Sequence, residues 1–262
     1  MISSASNNQI KNIIKLQKQA KVRNEQGLFV VEGRKMFEEA RDQAHVFVEK
    51  AYCSSSYYEE YAKNDSYFKG IAFELVSDSV MKEISETITP QGILALVKKP
   101  EYKIEDMLRS DRVRLLLLED LRDPGNLGTM IRTSEGVGIT GVIMSKNSVD
   151  IFNPKVIRST MGSIYRVPFL YAEDFAKTLT EIKNQDVPIY AAHLAGAVQY
   201  DTIDYGKRSA ILIGNEANGL TDEISNLATK CIKIPMEGQV ESLNAAIAAA
   251  VLLYEVKKYD TK

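Results

Sequence analysis

Val113-Arg-Leu-Leu-Leu-Leu-Glu-Asp-Leu-Arg-Asp-Pro-Gly-Asn-Leu-Gly-Thr-Met-Ile-Arg132 is the stretch on which the fold class turns. The unbroken apolar run Leu115 to Leu118 suits a strand covered on both faces, as in a parallel sheet flanked by helices. A Pro-Gly-Asn turn follows and opens a helix. Further strands are predicted at Val142 to Ser145, Tyr165 to Leu170, Ile189 to His193, Ala210 to Ile213 and Cys231 to Pro235, with helical segments between most of them. Six strands and their crossover helices predict a doubly wound α/β sheet over residues 113–262.

Upstream, the same alternation is repeated on a smaller scale. Leu28 to Val31, Val46 to Cys53, Phe73 to Val76 and Ile93 to Val97 read as strands, and Arg34 to Asp42, Tyr57 to Lys63 and Asp78 to Ser85 as helices. Together with an amphipathic helix over residues 9–23, they predict a small α/β domain at 1–100 with a partly parallel sheet. A charged stretch with little strand character places a linker at 101–112.

Composition excludes several classes. The chain of 262 residues is 45% hydrophobic and 26% charged, as in a globular protein. No apolar run is long enough to span a bilayer, and the polar opening segment lacks the apolar core of a signal peptide, so a cytoplasmic location is expected. Cys53 and Cys231 read as separate buried thiols, and His45 and His193 are the only histidines, too few for a His-based metal site. The net charge of −2 is unevenly spread: Lys11, Lys15, Lys18, Lys21 and Arg23 precede the first acid. That patch can meet phosphates, because screening confines the relevant field to about 10 Å. On the charge pattern alone, a solvated helix face is the favoured account of it.

Ligands of doubly wound sheets bind beyond the carboxyl ends of the strands, which draws attention to three loops. The first, after Leu118, carries Asn126 and Arg132; the second, after Ile213, carries Gly214 and Glu216; the third, after Pro235, delivers Glu241, Ser242 and Asn244 to an alanine-rich helix. Ser242 or Asn244 could cap that helix or belong to a site built on its exposed N–H groups. Leu243, Ile247, Val251 and Tyr254 form its expected packing face. Gly136-Val-Gly138-Ile-Thr-Gly141 spells a dinucleotide fingerprint, but it ends a helix and precedes a strand, so a C-cap and a tight turn are expected there.

Asp123-Pro-Gly-Asn-Leu-Gly-Thr-Met-Ile-Arg132, Ile213-Gly-Asn-Glu-Ala-Asn-Gly-Leu220 and Ile234-Pro-Met-Glu-Gly-Gln-Val-Glu-Ser-Leu-Asn-Ala245 resemble, in order, the three motifs of the SpoU (TrmH) family of RNA ribose 2′-O-methyltransferases. Gly27-Leu-Phe-Val-Val-Glu-Gly33 and Gln91-Gly-Ile-Leu-Ala95 resemble the L30e-like substrate-binding domain found in that family. The resemblance implies a trefoil-knotted carboxy-terminal domain, S-adenosylmethionine as cofactor, and a homodimer packed partly through the final helix. Carried onto this chain, it implies catalytic roles for Arg132, Asn126, Glu216, Ser242 and Asn244. Cofactor contacts fall on Gly214, Ile234, Met236, Leu243 and Asn244, with no metal. Lys11, Lys15, Lys18 and Arg23 are expected to meet RNA, ribosomal RNA of the 23S type being favoured. A tRNA ribose methyltransferase and a non-catalytic RNA-binding protein of the same fold are the alternatives.

Overall fold

The structure, a computed structural model, describes residues 1–64, 66–194 and 198–260. The chain forms two compact units, the first of Met1–Pro100 with Asp150–Tyr165, the second of Glu101–Val149 with the chain from Arg166 onward.

The first unit is built on β1 (Leu28–Glu32), β2 (Val48–Ser54), β3 (Phe73–Val76) and β4 (Ile93–Lys98), in the order β1-β4-β2-β3. Strand β4 runs antiparallel to β1 and β2, whereas β2 and β3 are parallel, which is the mixed sheet expected. Helix Asn8–Lys18 starts at Asn7, whose Oδ1 accepts from Gln9 N at 2.8 Å. It buries Ile10, Ile13 and Leu16 against Val30, Leu94 and Leu96 and leaves Lys11, Lys15 and Lys18 exposed. Burial pushes the Cys53 thiol on β2 up to about 12, and it is free, as is Cys231.

The single helix expected over 9–23 is instead two, broken at the extended Gln19, with Ala20–Gln26 as the second. The break turns Arg23 inward. Its Nη1 donates to Leu16 O at 2.6 Å and Gln17 O at 2.9 Å, carbonyls near the C-terminal end of the first helix. Its Nε and Nη2 donate to Asp150 Oδ2 at 2.9 and 2.6 Å. Only 4% exposed and committed to these acceptors, Arg23 is a structural residue, and its expected contact with RNA is corrected here.

Residues 150–165 complete this unit. Phe152 packs on Phe29 with ring centroids 4.7 Å apart, and Tyr165 OH donates to Met36 O at 3.1 Å. Between them, helix Pro154–Thr160 is capped by Asn153, whose Oδ1 accepts from Lys155 N.

The second unit holds β5 (Val113–Leu118), β6 (Gly141–Ser145), β7 (Phe169–Ala172), β8 (Ile189–Ala192), β9 (Val198–Gln199), β10 (Arg208–Ile213) and β11 (Lys230–Lys233). Their order is β7-β6-β5-β10-β8-β11-β9, and every pairing is parallel. All six residues of β5 are buried, as its leucine run demanded. The strand expected at 165–170 lies at Phe169–Ala172, because Tyr165 belongs to a 3₁₀ turn in the first unit, and the two-residue β9 had no signal in the sequence. Chain order reverses between β5 and β10, which makes their carboxyl ends the topological switch point.

Within the stretch expected to be a linker, helix Ile104–Leu108 packs Met107 under Gly141, where an added Cβ would lie 2.3 Å from its sulfur. Helix Pro124–Val137 ends at Gly138 in the left-handed region (φ 73°), whose N–H bonds Glu135 O. The glycines at 136–141 are thus a cap and a turn. Helix Ala245–Lys257 buries Ala246, Ala249, Leu252, Leu253 and Val256. The face expected to pack is the outer one, with Ile247 53% and Tyr254 54% exposed. No helix among the described residues is long and apolar enough to cross a membrane.

Candidate active site and cofactor cleft

Strands β5 and β10 lie side by side with Leu118 opposite Ile213, so the loops that follow them emerge together. Glu119 N donates to Ile213 O at 2.9 Å at the point of exit. The second loop then folds back on itself through paired backbone bonds between Asn215 and Gly219, each 2.9 Å. Asn215 Oδ1 accepts from Ala217 N and Asn218 N, which makes Asn218 and Gly219 turn residues. Gly214 is the position that permits the fold-back: a Cβ there would lie 2.2 Å from Gly219 C and 2.3 Å from Leu220 N.

The fold-back aims Glu216 at the first loop. Its carboxylate accepts from Arg122 N at 3.0 Å, Asp123 N at 2.8 Å and Asn126 Nδ2 at 3.1 Å. Burial raises its pKa, but the three donors outweigh that effect and hold it below the ordinary glutamate value. An ionised carboxylate only accepts, so it fixes the Asn126 amide with Nδ2 inward and Oδ1 outward. That outward oxygen accepts from Asn244 Nδ2 at 3.0 Å. Asn244 is oriented from its other side, since its Oδ1 caps the closing helix by accepting from Ala246 N at 2.9 Å and Ile247 N at 3.3 Å. One chain of hydrogen bonds, Glu216 to Asn126 to Asn244 to a helix N-terminus, therefore ties the three loops together. Asn244 is both the cap and a member of the candidate site.

Beside this chain lies a cleft of about 900 Å³ whose lining includes Gly214, Ile234, Met236 and Leu243, with Glu241 and Ser242 among its polar residues. Ala248 and Leu252 of the closing helix contribute to its wall. Ser242 is exposed and does not cap the helix. Neither Asn126 nor Asn244 lines the cleft. Arg132 does not line it either; it stands exposed on helix Pro124–Val137 with no ion pair or hydrogen bond among the described residues. A slot walled by loop backbone, a glycine and apolar side chains, with carboxylate and hydroxyl groups at hand, has the character needed by a flat heterocycle joined to a charged tail.

Two supporting residues escaped the reading of the sequence. Glu119 is only 7% exposed, and its carboxylate accepts from Thr221 N at 2.9 Å and Thr221 Oγ1 at 2.7 Å, pinning the far end of the folded-back loop. Asp120 adopts a left-handed backbone (φ 49°) and accepts on its carbonyl from Asn215 Nδ2 at 2.8 Å. The available signal was an acidic pair placed directly after a run of four leucines.

Residues 114–254, over half of the chain, match the SpoU rRNA Methylase family. The chain belongs to that family. Residues 7–95 of this SpoU methylase also match the MRM3-like substrate binding domain. The protein is 31% identical over 256 residues to the Bacillus subtilis 23S rRNA (guanosine(2553)-2′-O)-methyltransferase RlmP, covering 98% of each chain. It superposes on an AdoMet-bound rRNA methyltransferase from Sinorhizobium meliloti with a TM-score of 0.86 and 30% identity, over 99% of this chain and 97% of that one. AviRb from Streptomyces viridochromogenes, 22% identical with a TM-score of 0.88 over 98% and 99%, shares the fold. As a SpoU methylase the chain is an RNA 2′-O-methyltransferase that uses S-adenosylmethionine.

Proposed function

We propose that this SpoU methylase methylates a ribose of 23S-type ribosomal RNA, with Gly214, Ile234, Met236 and Leu243 holding the cofactor; Asn244, expected among these contacts, instead caps the closing helix and holds Asn126. The hydrogen-bond chain from Glu216, on the cleft wall, through Asn126 to Asn244 beside it carries this reading. When bound, S-adenosylmethionine supplies an activated methyl group; the protein must hold a ribose hydroxyl in line and stabilise the charge that develops on its oxygen. Asn126, locked by Glu216, and Ser242 position that ribose. The Arg132 guanidinium stabilises the negative charge that develops on the ribose oxygen.

The exposed stripe of Ile247 and Tyr254, with the half-buried Val251 between them, is the surface through which two copies associate. Arg132 lies one helical turn before Gly136, where an added Cβ would sit 3.6 Å from Tyr254 OH. Dimerisation at the stripe therefore brings the free arginine up to a partner. Trefoil threading of the second unit and a cytoplasmic location belong to the same reading.

Calorimetric titration with S-adenosylmethionine and mapping of ribose methylation on total RNA from a deletion strain test it. One cofactor site per chain and the loss of one 23S methylation are expected. A methyl group lost from tRNA instead would transfer the assignment to tRNA, and absence of cofactor binding would leave only an RNA-binding role. Charge reversal of Lys11, Lys15 and Lys18 together is expected to weaken RNA binding and to flatten the slope of log affinity against log salt by about 2–3. A slope that stays the same would return those lysines to a solvated face.

A further inference from the structure

The first unit contains a cavity of about 720 Å³ that none of the roles above uses, within the roughly 300–1,000 Å³ of small-ligand pockets. Its lining includes Arg34, Lys35, Tyr61, Asp78, Lys82 and Gln91. Arg34 lies over the Tyr61 ring, its guanidinium carbon 4.3 Å from the centroid, while its Nε donates to Glu38 Oε1 at 2.8 Å. Tyr61 is in turn braced by Tyr57, with centroids 5.1 Å apart, and stands on a π-helical turn, Tyr58–Ala62. A cation laid on an aromatic ring and pinned by a carboxylate is a pre-formed stacking surface. Arg34 remains 46% exposed and Tyr61 38%.

The cavity edge carries matching polarity. Gln91 Oε1 accepts from Arg34 N at 2.8 Å, which leaves its Nε2 as a donor without a partner among the described residues. Lys82 is exposed and likewise free of ion pairs among the described residues. Glu38, Glu60 and Asp78 balance Arg34, Lys35 and Lys82 around the same space. Three carboxylates against three cations disfavour a bare polyanion. They suit a flat ligand with hydrogen-bonding edges and a single negative charge.

We infer that this cavity takes one unpaired nucleotide of the RNA substrate, its base stacked at the Arg34–Tyr61 pair, its edge read by Gln91 and its phosphate met by Lys82. The inference rests on the RNA reading above, but it concerns a separate site in the first unit. Duplex RNA keeps its bases stacked inside the helix and cannot offer one to the cavity.

The chain contains no tryptophan, so Tyr61→Trp introduces a single indole reporter while keeping the aromatic platform. In the full-length protein, titration with an unstructured ten-nucleotide RNA is expected to quench its emission saturably, whereas a duplex of the same length leaves it unchanged. Arg34→Ala in that background is expected to weaken the response about tenfold while the unfolding midpoint and the affinity for S-adenosylmethionine stay in place. No quenching by any single-stranded RNA overturns the proposal, since stacking tolerates every base. Quenching by adenosine monophosphate as strong as by the oligomer overturns it in favour of a free-nucleotide site. Because the titration contains no cofactor, failure of the methyltransferase reading would leave its result standing.

Discussion

Arg132→Ala is expected to lower kcat by about 10²–10³ while leaving the affinity for S-adenosylmethionine within a few-fold. The two halves of that expectation come from different observations. Arg132 does not line the cleft, so its removal should not disturb cofactor binding. It also has no ion pair among the described residues, so its charge is available to a developing oxyanion, and little folding energy depends on it. Arg132→Lys keeps the charge and loses the planar fork, and should recover only part of the rate. Single-turnover methylation separates chemistry from binding. Turnover within a few-fold of the parent in Arg132→Ala would remove the arginine from the mechanism.

Gly214→Ala is expected to weaken cofactor binding by about a hundredfold, although it adds only one methyl group. The new Cβ would meet backbone atoms of Gly219 and Leu220 at 2.2–2.4 Å, and backbone cannot swing aside as a flexible side chain would. Overpacking of this kind costs typically about 1–3 kcal/mol, and the upper end corresponds to roughly a hundredfold in affinity. Moving the loop to relieve the clash would also withdraw Glu216 from Arg122, Asp123 and Asn126. The substitution should therefore lower kcat as well as cofactor affinity, a double effect that Arg132→Ala lacks. Calorimetric titration measures the first and single-turnover assay the second; unchanged affinity would place the cofactor elsewhere.

Much of the second unit was legible because its central strands β5, β6 and β10 are short, buried runs bounded by turn residues. Val113–Leu118 lies where its leucines put it, and the segments that follow β5, β10 and β11, including the helix Pro124–Val137, hold the residues that the three motifs single out. The closing helix was misread for a physical reason. With apolar residues around nearly its whole circumference it carries little directional signal, so spacing alone could not tell that Ala246, Ala249 and Leu253 face inward while Ile247 and Tyr254 face out. Arg23 was misread because its partner, Asp150, lies 127 residues away, a pairing that local charge counting cannot register. The tie between Asn126 and Asn244 was likewise invisible until the sheet order brought their loops together. In the first unit, Tyr61 read as one residue of an ordinary helix, and only the packing of Arg34 across it drew attention to that surface.

The return of residues 150–165 to the first unit bears on how the protein is made. On the ribosome, β1 to β4 emerge well before Phe152, which covers Phe29, and before Asp150, which neutralises the buried Arg23. The leading sheet can form early, but Arg23 on the helix before it lacks a counter-charge and one of its phenylalanines lacks a neighbour until β5 and β6 of the other unit have also been synthesised. The two units are thus obliged to mature in overlapping stages, and the nascent chain carries an unfinished front half for about fifty residues of synthesis.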